Sequence, residues 1–345
     1  MGKTAAIYSP YLNTLGGGER YTITFAKVLS ENGYDVDIEW SDPSILDLLS
    51  ERFGYKLNQH IKVIKSINRG DNYDLCFWVS DGSIPTLKAS NNIIHFQVPF
   101  KDVNGKSLIN KMKLFRVKNL ICNSKFTKNI IDHEFGVESS VIYPPIDLSS
   151  FKPMRKENII LYIGRFSNLL QSKGQDVLVE QFKKFHDSGY QNWKLILAGG
   201  SEIGSDKMIN KLNIMIEKYP IEIIKSPSFN VIKKLYGTSK IFWSASGYGV
   251  DEVENPKAVE HFGMTVVEAM ASGLVPIITK LGGHNEIIID GTDGFLWTEK
   301  EDLVEITRHL VSEKGLMQKM SKEAILNSNK FGFDIFKNEV LQIIK

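Results

Sequence analysis

The stretch from Glu260 to Gly273, E-H-F-G-M-T-V-V-E-A-M-A-S-G, decides how the chain is read. Glu260 and Glu268 bracket a Phe-Gly turn and the opening of an apolar helix on which Val267, Met270 and Ala271 share a face. Gly263 lets the backbone come close to a ligand. The unpaired N–H groups of the first helical turn, at Met264 and Thr265, form a site for an anion. Glu260 is then set toward uncharged hydroxyls, and Glu268, about two turns on, accepts from a second pair. An anion between two sets of hydroxyls implies a nucleotide sugar as ligand.

Outward from this stretch the pattern continues with V-P-I at Val275 to Ile277 and G-G-H-N-E at Gly282 to Glu286. Two Glu around F-G-x-T, followed by these motifs, resemble the signature of the family 4 retaining glycosyltransferases of GT-B fold. The resemblance implies an α/β chain of two Rossmann-like, doubly wound parallel-sheet domains facing across a cleft. The alternative is an amphipathic helix capped by a glycine turn that binds nothing.

The 345 residues suffice for two domains of roughly 150 each. With 42% hydrophobic and 24% charged residues the chain is globular, which excludes disordered and fibrous classes. A net charge of +2, from 42 basic and 40 acidic residues, gives no reason to expect nucleic acid as a partner. The only cysteines, Cys76 and Cys122, lie in separate apolar runs and read as buried reduced thiols of a cytoplasmic protein. No apolar signal core opens the chain and no segment approaches the ~20 apolar residues of a membrane span, so a soluble or peripheral protein is expected.

Strand signals in the first half fall at Ala5–Tyr8, Val36–Glu39, Ile61–Ile64, Leu75–Val79, Asn92–Phe96, Leu120–Cys122 and Val141–Tyr143. Helical stretches separate several of them, which argues for a parallel sheet with ligands at its carboxyl edge. Gly16-Gly17-Gly18 reads as a loop, followed by a helix from Glu19 to Asn32. It lacks the G-x-G-x-x-G spacing of a dinucleotide fingerprint. In the resembled family a glycine-rich loop here, G-G-G-E-R in this chain, faces the donor diphosphate and the acceptor. His95 follows an apolar run, where a lone histidine is usually structural; the family carries a histidine at this strand end near the donor sugar.

From Lys101 to Lys118, six basic residues alternate with Leu108, Ile109, Met112, Leu114 and Phe115. Such a stretch reads either as a basic amphipathic helix that lies on an anionic membrane or meets a phosphate-bearing acceptor, or as a solvated helix packed on the sheet. Ser124 is a candidate N-cap. Tyr143-Pro144-Pro145-Ile146-Asp147 stops both helix and strand and marks the linker. Residues 1–147 are expected to form an acceptor-side domain, 148–330 a donor domain, and 331–345 a helix crossing back to the first domain.

The second half restarts with strands at Ile159–Ile163, Lys194–Ala198, Ile221–Ile224, Ile241–Ser244, Val275–Ile278 and Gly294–Trp297. Arg165 and Lys173 flank a loop ahead of a helix and resemble the family's diphosphate-binding cations. That loop, Phe166 to Ser172, is longer than the family's. The family holds its nucleobase near Ser226–Phe229. Gly247 to Val259 is a longer, more acidic excursion than the family's, with Asp251, Glu252 and Glu254, and reads either as solvated, the preferred reading, or as a cover over the donor sugar. His284 reads as a rim residue.

The resemblance implies retaining, metal-independent transfer of a sugar from a GDP- or UDP-linked donor to a glycan, lipid-linked or other hydroxyl acceptor. No cofactor beyond that donor is expected. Arg165, Lys173 and the helix start carry the diphosphate; Glu260 orients the sugar, Glu268 the ribose, and His95 the anomeric region. Closure about Pro144-Pro145 would exclude water. G-G-G-E-R with E-H-F-G most resembles mannosyltransferases that extend lipid-linked oligosaccharides. A cytoplasmic location, peripheral on the inner face of a membrane where residues 101–118 touch it, follows from that reading. Two rivals stay open: a nucleotide-sugar epimerase of the same fold, which would isomerise the donor without an acceptor, and a noncatalytic nucleotide-sugar-binding protein.

Overall fold

The computed structural model describes residues 2–167, 171–200 and 205–345. The chain divides into two units, Met1–Pro145 with Phe333–Lys345, and Ile146–Gly332. The division thus falls after Pro145 rather than after Asp147.

The first unit runs β1 (Lys3–Tyr8), α1 (Gly17–Glu31), β2 (Tyr34–Glu39), α2 (Ile45–Phe53), β3 (Ile61–Ile64), β4 (Leu75–Val79), β5 (Asn91–Phe96), α3 (Leu108–Leu114), β6 (Asn119–Cys122), α4 (Lys125–Phe135) and β7 (Ser140–Val141). Its strands pair in the order β3-β2-β1-β4-β5-β6-β7, every pair parallel. Ala5, Ala6, Ile7, Phe77, Ile93 and Ile94 are sealed from solvent, as expected of strands covered on both faces. Ser124 caps α4, its hydroxyl accepting from Thr127 N at 3.0 Å. Burial pushes both the Cys76 and the Cys122 thiols up to about 12, which keeps them protonated and unreactive.

Two readings of this half are corrected. The triple glycine is not a loop: Gly17 and Gly18 belong to the first turn of α1. Glycine disfavours helix, but the Glu19 carboxylate reaches back to accept from Gly16 N at 2.8 Å and Thr14 Oγ1 at 2.6 Å, and so fixes the helix start. Residues 101–118 do not form one helix either. Only Leu108–Leu114 is helical, and none of its residues is buried.

The second unit runs β8 (Ile159–Ile163), α5 (Gln175–Asp187), β9 (Lys194–Gly199), α6 (Asp206–Met215), β10 (Ile221–Lys225), α7 (Phe229–Thr238), β11 (Ile241–Ser244), α8 (Met264–Ala271), β12 (Val275–Thr279), β13 (Phe295–Trp297), α9 (Lys300–Ser312) and α10 (Leu316–Ser328). Its parallel sheet has the order β10-β9-β8-β11-β12-β13. The strand order therefore reverses beside β8 as it does beside β1 in the first unit. Ligands of such sheets bind at the carboxyl ends of the strands next to that reversal.

The last helix, α11 (Phe333–Ile343), belongs to the first unit. Phe336 meets the ring of Tyr21 edge-on at 5.0 Å, and Asn119 Nδ2 donates to Ile343 O at 3.1 Å. Among the described residues no helix is long and apolar enough to cross a membrane.

Candidate functional site

The second unit's site is built around the start of α8. Its N-cap, Gly263, has φ 114°, and a Cβ there would lie 3.0 Å from the His284 ring, so only glycine fits both the backbone and the space. Val266 through Ala271 are all buried, so α8 is enclosed nearly all round and not on one face alone. Its first turn, Met264 and Thr265, keeps partial exposure and holds N–H groups that an α-helix cannot pair internally.

Glu260 is pinned by backbone and side chain. Its carbonyl accepts from Gly283 N at 2.8 Å, and a Cβ on Gly282 would fall 2.2 Å from that same carbonyl oxygen. Its carboxylate pairs with Lys173 Nζ at 2.8 Å. The two side chains keep only 11% (Lys173) and 23% (Glu260) of their surface, so the pair is partly desolvated. Burial alone would raise the Glu260 carboxyl, but the Lys173 ammonium and the nearby His284 and His261 outweigh it and bring it down to about 2. Glu260 is therefore an anion throughout the neutral range.

Gln171 ties this pair to the adjacent loop. Its Oε1 accepts from Lys173 Nζ at 2.8 Å while its Nε2 donates to Val259 O at 2.7 Å. Residues 168–170, in the loop whose length departs from the resembled family, lie outside the described residues. His284 is not at the rim as expected: it is 1% exposed and its Nδ1 lies 3.2 Å from Thr279 O, which makes Nδ1 the protonated nitrogen. Burial, with Lys173, lowers its pKa to about 4 against the pull of Glu260, so it is neutral at pH 7. The acidic excursion from Gly247 to Val259 is anchored: Glu252 Oε2 accepts from Gly282 N at 2.6 Å, a bond that locks the same glycine turn.

Glu268 lies on α8, 7% exposed, and accepts from Tyr236 OH at 3.0 Å. Lys156 supports α8 from below. Its ammonium donates to Ser239 O at 2.7 Å and Ser272 O at 2.6 Å, the carbonyls closing α7 and α8. Burial lowers its pKa to about 7. Arg165 is exposed just past β8, and its backbone carbonyl accepts from Gln175 Nε2 at 2.9 Å.

Lys173, Glu260, Gly263, Met264, Thr265 and Glu268 thus come together in one unit, with Arg165 at the same carboxyl edge. Gly16, Gly17, Gly18 and His95 belong to the other. His95 is not at an exposed strand end: β5 continues through Phe96, and the imidazole is fully buried, stacked on Tyr21 at 4.0 Å. Its Nδ1 lies 3.3 Å from Ile121 O, and burial lowers its pKa to about 3. Its Nε2 is buried without a hydrogen-bond partner among the described residues. Sequence reasoning missed Gln171, Tyr236, Lys156 and the anchoring role of Glu252, since each acts through a partner far along the chain.

Residues 147–326, more than half of the chain, match the family described as glycosyl transferases group 1. The chain belongs to this family. Among curated relatives, the GDP-Man:Man(3)GlcNAc(2)-PP-Dol alpha-1,2-mannosyltransferase of Dictyostelium discoideum is 26% identical over 66% of this chain and 47% of its own length. An uncharacterized glycosyltransferase of Methanocaldococcus jannaschii is 28% identical over 62% of this chain and 56% of its own. The chain thus spans about half the length of the curated relatives it matches. Among solved structures, a glycosyltransferase from Rickettsia africae aligns over 99% of this chain and 98% of its own with TM-score 0.78 and 21% identity. Anabaena Alr3699/HepE in complex with UDP aligns over 99% and 98% with TM-score 0.77 and 18% identity. These likenesses show the fold: this group 1 chain is GT-B, with two doubly wound α/β units.

Proposed function

We propose that the chain is a retaining glycosyltransferase that moves a hexosyl group from a nucleoside diphosphate sugar to a hydroxyl acceptor. The observation that carries this is the Lys173–Glu260 pair beside the first turn of α8, in a chain of the group 1 family. Lys173 and Arg165, with the N–H groups at Met264 and Thr265, meet the diphosphate and stabilise the charge that grows on it as the glycosidic bond breaks. On this reading those fixed positive groups supply the neutralisation, and transfer proceeds in a metal chelator. Glu260, held charged, accepts from the sugar hydroxyls. Glu268 accepts from the ribose, with Tyr236 fixing its carboxylate.

The mannosyltransferase relatives' names include GDP-Man and a lipid-linked acceptor, and the Anabaena structure holds UDP. GDP-mannose is therefore the first donor to test and a lipid-linked glycan the first acceptor, with contact at a membrane surface through residues 101–118. The first unit is the acceptor side. A cavity of about 420 Å³ opens at the carboxyl ends of β1 and β2, lined by Tyr8, Ser9, Glu39, Trp40 and Lys65. Its aromatic faces and polar tips suit a sugar ring.

The test is a thermal-shift panel of nucleoside diphosphate sugars, read beside Lys173→Met and Glu260→Ala. A donor should raise the melting temperature of the wild type and of neither variant as strongly. Product then made with that donor in chelator should keep the donor's anomeric configuration by NMR. An inverted product, or an isomerised donor without acceptor, would remove the reading.

A further inference from the structure

The sequence left the role of residues 101–118 open, and the structure shows which side chains bear on it. Leu108, Ile109, Met112 and Phe115 are 75%, 65%, 69% and 93% exposed. A soluble protein's surface carries such residues singly, not four together on one short helix and the residue that caps it. At 3.6 residues per turn Leu108, Met112 and Phe115 lie within an arc of about 60°, with Ile109 beside them. Lys111 and Lys113 flank that stripe on either side, and Lys106, Arg116 and Lys118 lie close in sequence.

The exposure is built rather than frayed. The Glu134 carboxylate on α4 accepts from Asp102 N at 3.1 Å, Val103 N at 3.1 Å and Gly105 N at 3.0 Å, clamping the loop that leads into α3. Ser107 caps α3 by accepting from Asn110 N at 3.3 Å, and Leu114, opposite the stripe, packs on the core. One side of α3 is thus fastened to the unit while the other presents apolar side chains ringed by cations.

We propose that this face docks on an anionic phospholipid surface, with Leu108, Ile109, Met112 and Phe115 entering the acyl boundary and the flanking lysines and arginine meeting the headgroups. Charge complementarity selects this occupant. Residues 101–118 hold six basic side chains against one acidic one, Asp102, an excess that two copies of the same face would turn into repulsion. The inference deepens the lipid-linked acceptor reading above and rests on it only for the reason such an enzyme sits at a membrane.

Cosedimentation with phosphatidylglycerol vesicles tests the docking without any sugar present. The wild type should bind them, bind pure phosphatidylcholine vesicles at least about tenfold more weakly, and lose binding as salt rises. Met112→Ser with Phe115→Ser should bind about tenfold more weakly than wild type at unchanged melting temperature and with unchanged thermal shift by the donor. Equal binding by that variant, no preference for the anionic vesicles, or a dimer that the double substitution dissolves would overturn the proposal. Donor binding is read in the same preparations, so failure of docking leaves the transferase reading separately testable.

Discussion

The two sheets reverse their strand order at matching places, yet the residues gathered there differ in kind. Beside β8 the second unit collects opposite charges on polar loops, Lys173 against Glu260 at 2.8 Å with partial exposure. On β5 of the first unit, the residue the family pattern marks as catalytic is a neutral imidazole buried against the rings of Tyr21 and Phe77. Topology thus sets where ligands bind, while the loops after each strand set whether that edge carries charge.

The largest expected effect would break the contrast from the charged side. Glu260→Ala should lower kcat/KM by roughly a hundredfold to a thousandfold with the fold intact, measured by donor turnover and circular dichroism. Lys173→Met should cost comparable activity and also invert a pH dependence. In the wild type the Glu260 carboxyl is depressed to about 2, so its contribution to stability is present above its unfolded pKa and is lost as pH falls toward 2. Without its cation, burial dominates and the folded pKa rises. The contribution is then present at low pH and lost as pH increases. Denaturant titrations of Lys173→Met between pH 4 and pH 7 that match wild type in slope would show that the pair does not hold Glu260 in its charged form.

The sealed side gives the next test. His95 and His284 are depressed to about 3 and about 4, so the unfolded chain binds their protons first as pH falls from neutral. Stability is therefore full above the unfolded histidine pKa and declines on acidification, by about 2 kcal/mol for each histidine at pH 5. His95→Phe should remove its share of that decline while keeping the stack on Tyr21. If His95 serves only by packing, the variant keeps its kcat at neutral pH. A collapse of kcat without loss of stability would instead place the imidazole in the reaction.

How much of this was legible in the sequence follows from the range of the forces involved. Strands such as Leu75–Val79, Ile159–Ile163 and Ile241–Ser244 fall where apolar runs mark them, because burial on both faces leaves a local signature. The turn at Gly263 was legible for the same reason, a backbone demand met by one residue type. The start of α1 was misread because Gly17 and Gly18 are poor helix formers, and the bond from Glu19 that fixes them acts against propensity. His284 was placed at a rim, and His95 beside the donor sugar, because the burial of each depends on residues of other elements, Tyr21 in the case of His95. Residues 101–118 looked like one amphipathic helix because the Glu134 clamp on residues 102–105 acts from about thirty residues away. Gln171 and Tyr236 left no signal, since a glutamine or tyrosine acquires its role only from what folding sets beside it.

A smaller effect sharpens the contrast at the floor of the charged site. Among the described residues Lys156 has no carboxylate partner, and its ammonium donates to the carbonyls that end α7 and α8. Replacing it with Met keeps the apolar stem and leaves those carbonyls unpaired in a buried place, which should cost about 1–3 kcal/mol by denaturant titration. Because α8 carries Glu268 and the anion-facing first turn, any displacement should appear as weaker donor binding, a rise in KM, with kcat retained. Glu252→Gln should act more weakly still, since an amide oxygen still accepts from Gly282 N and only the charge is lost. A variant in which donor affinity falls as far as in Lys173→Met would mean that the excursion's carboxylate meets the ligand itself, and the charged edge would then extend beyond the Lys173–Glu260 pair.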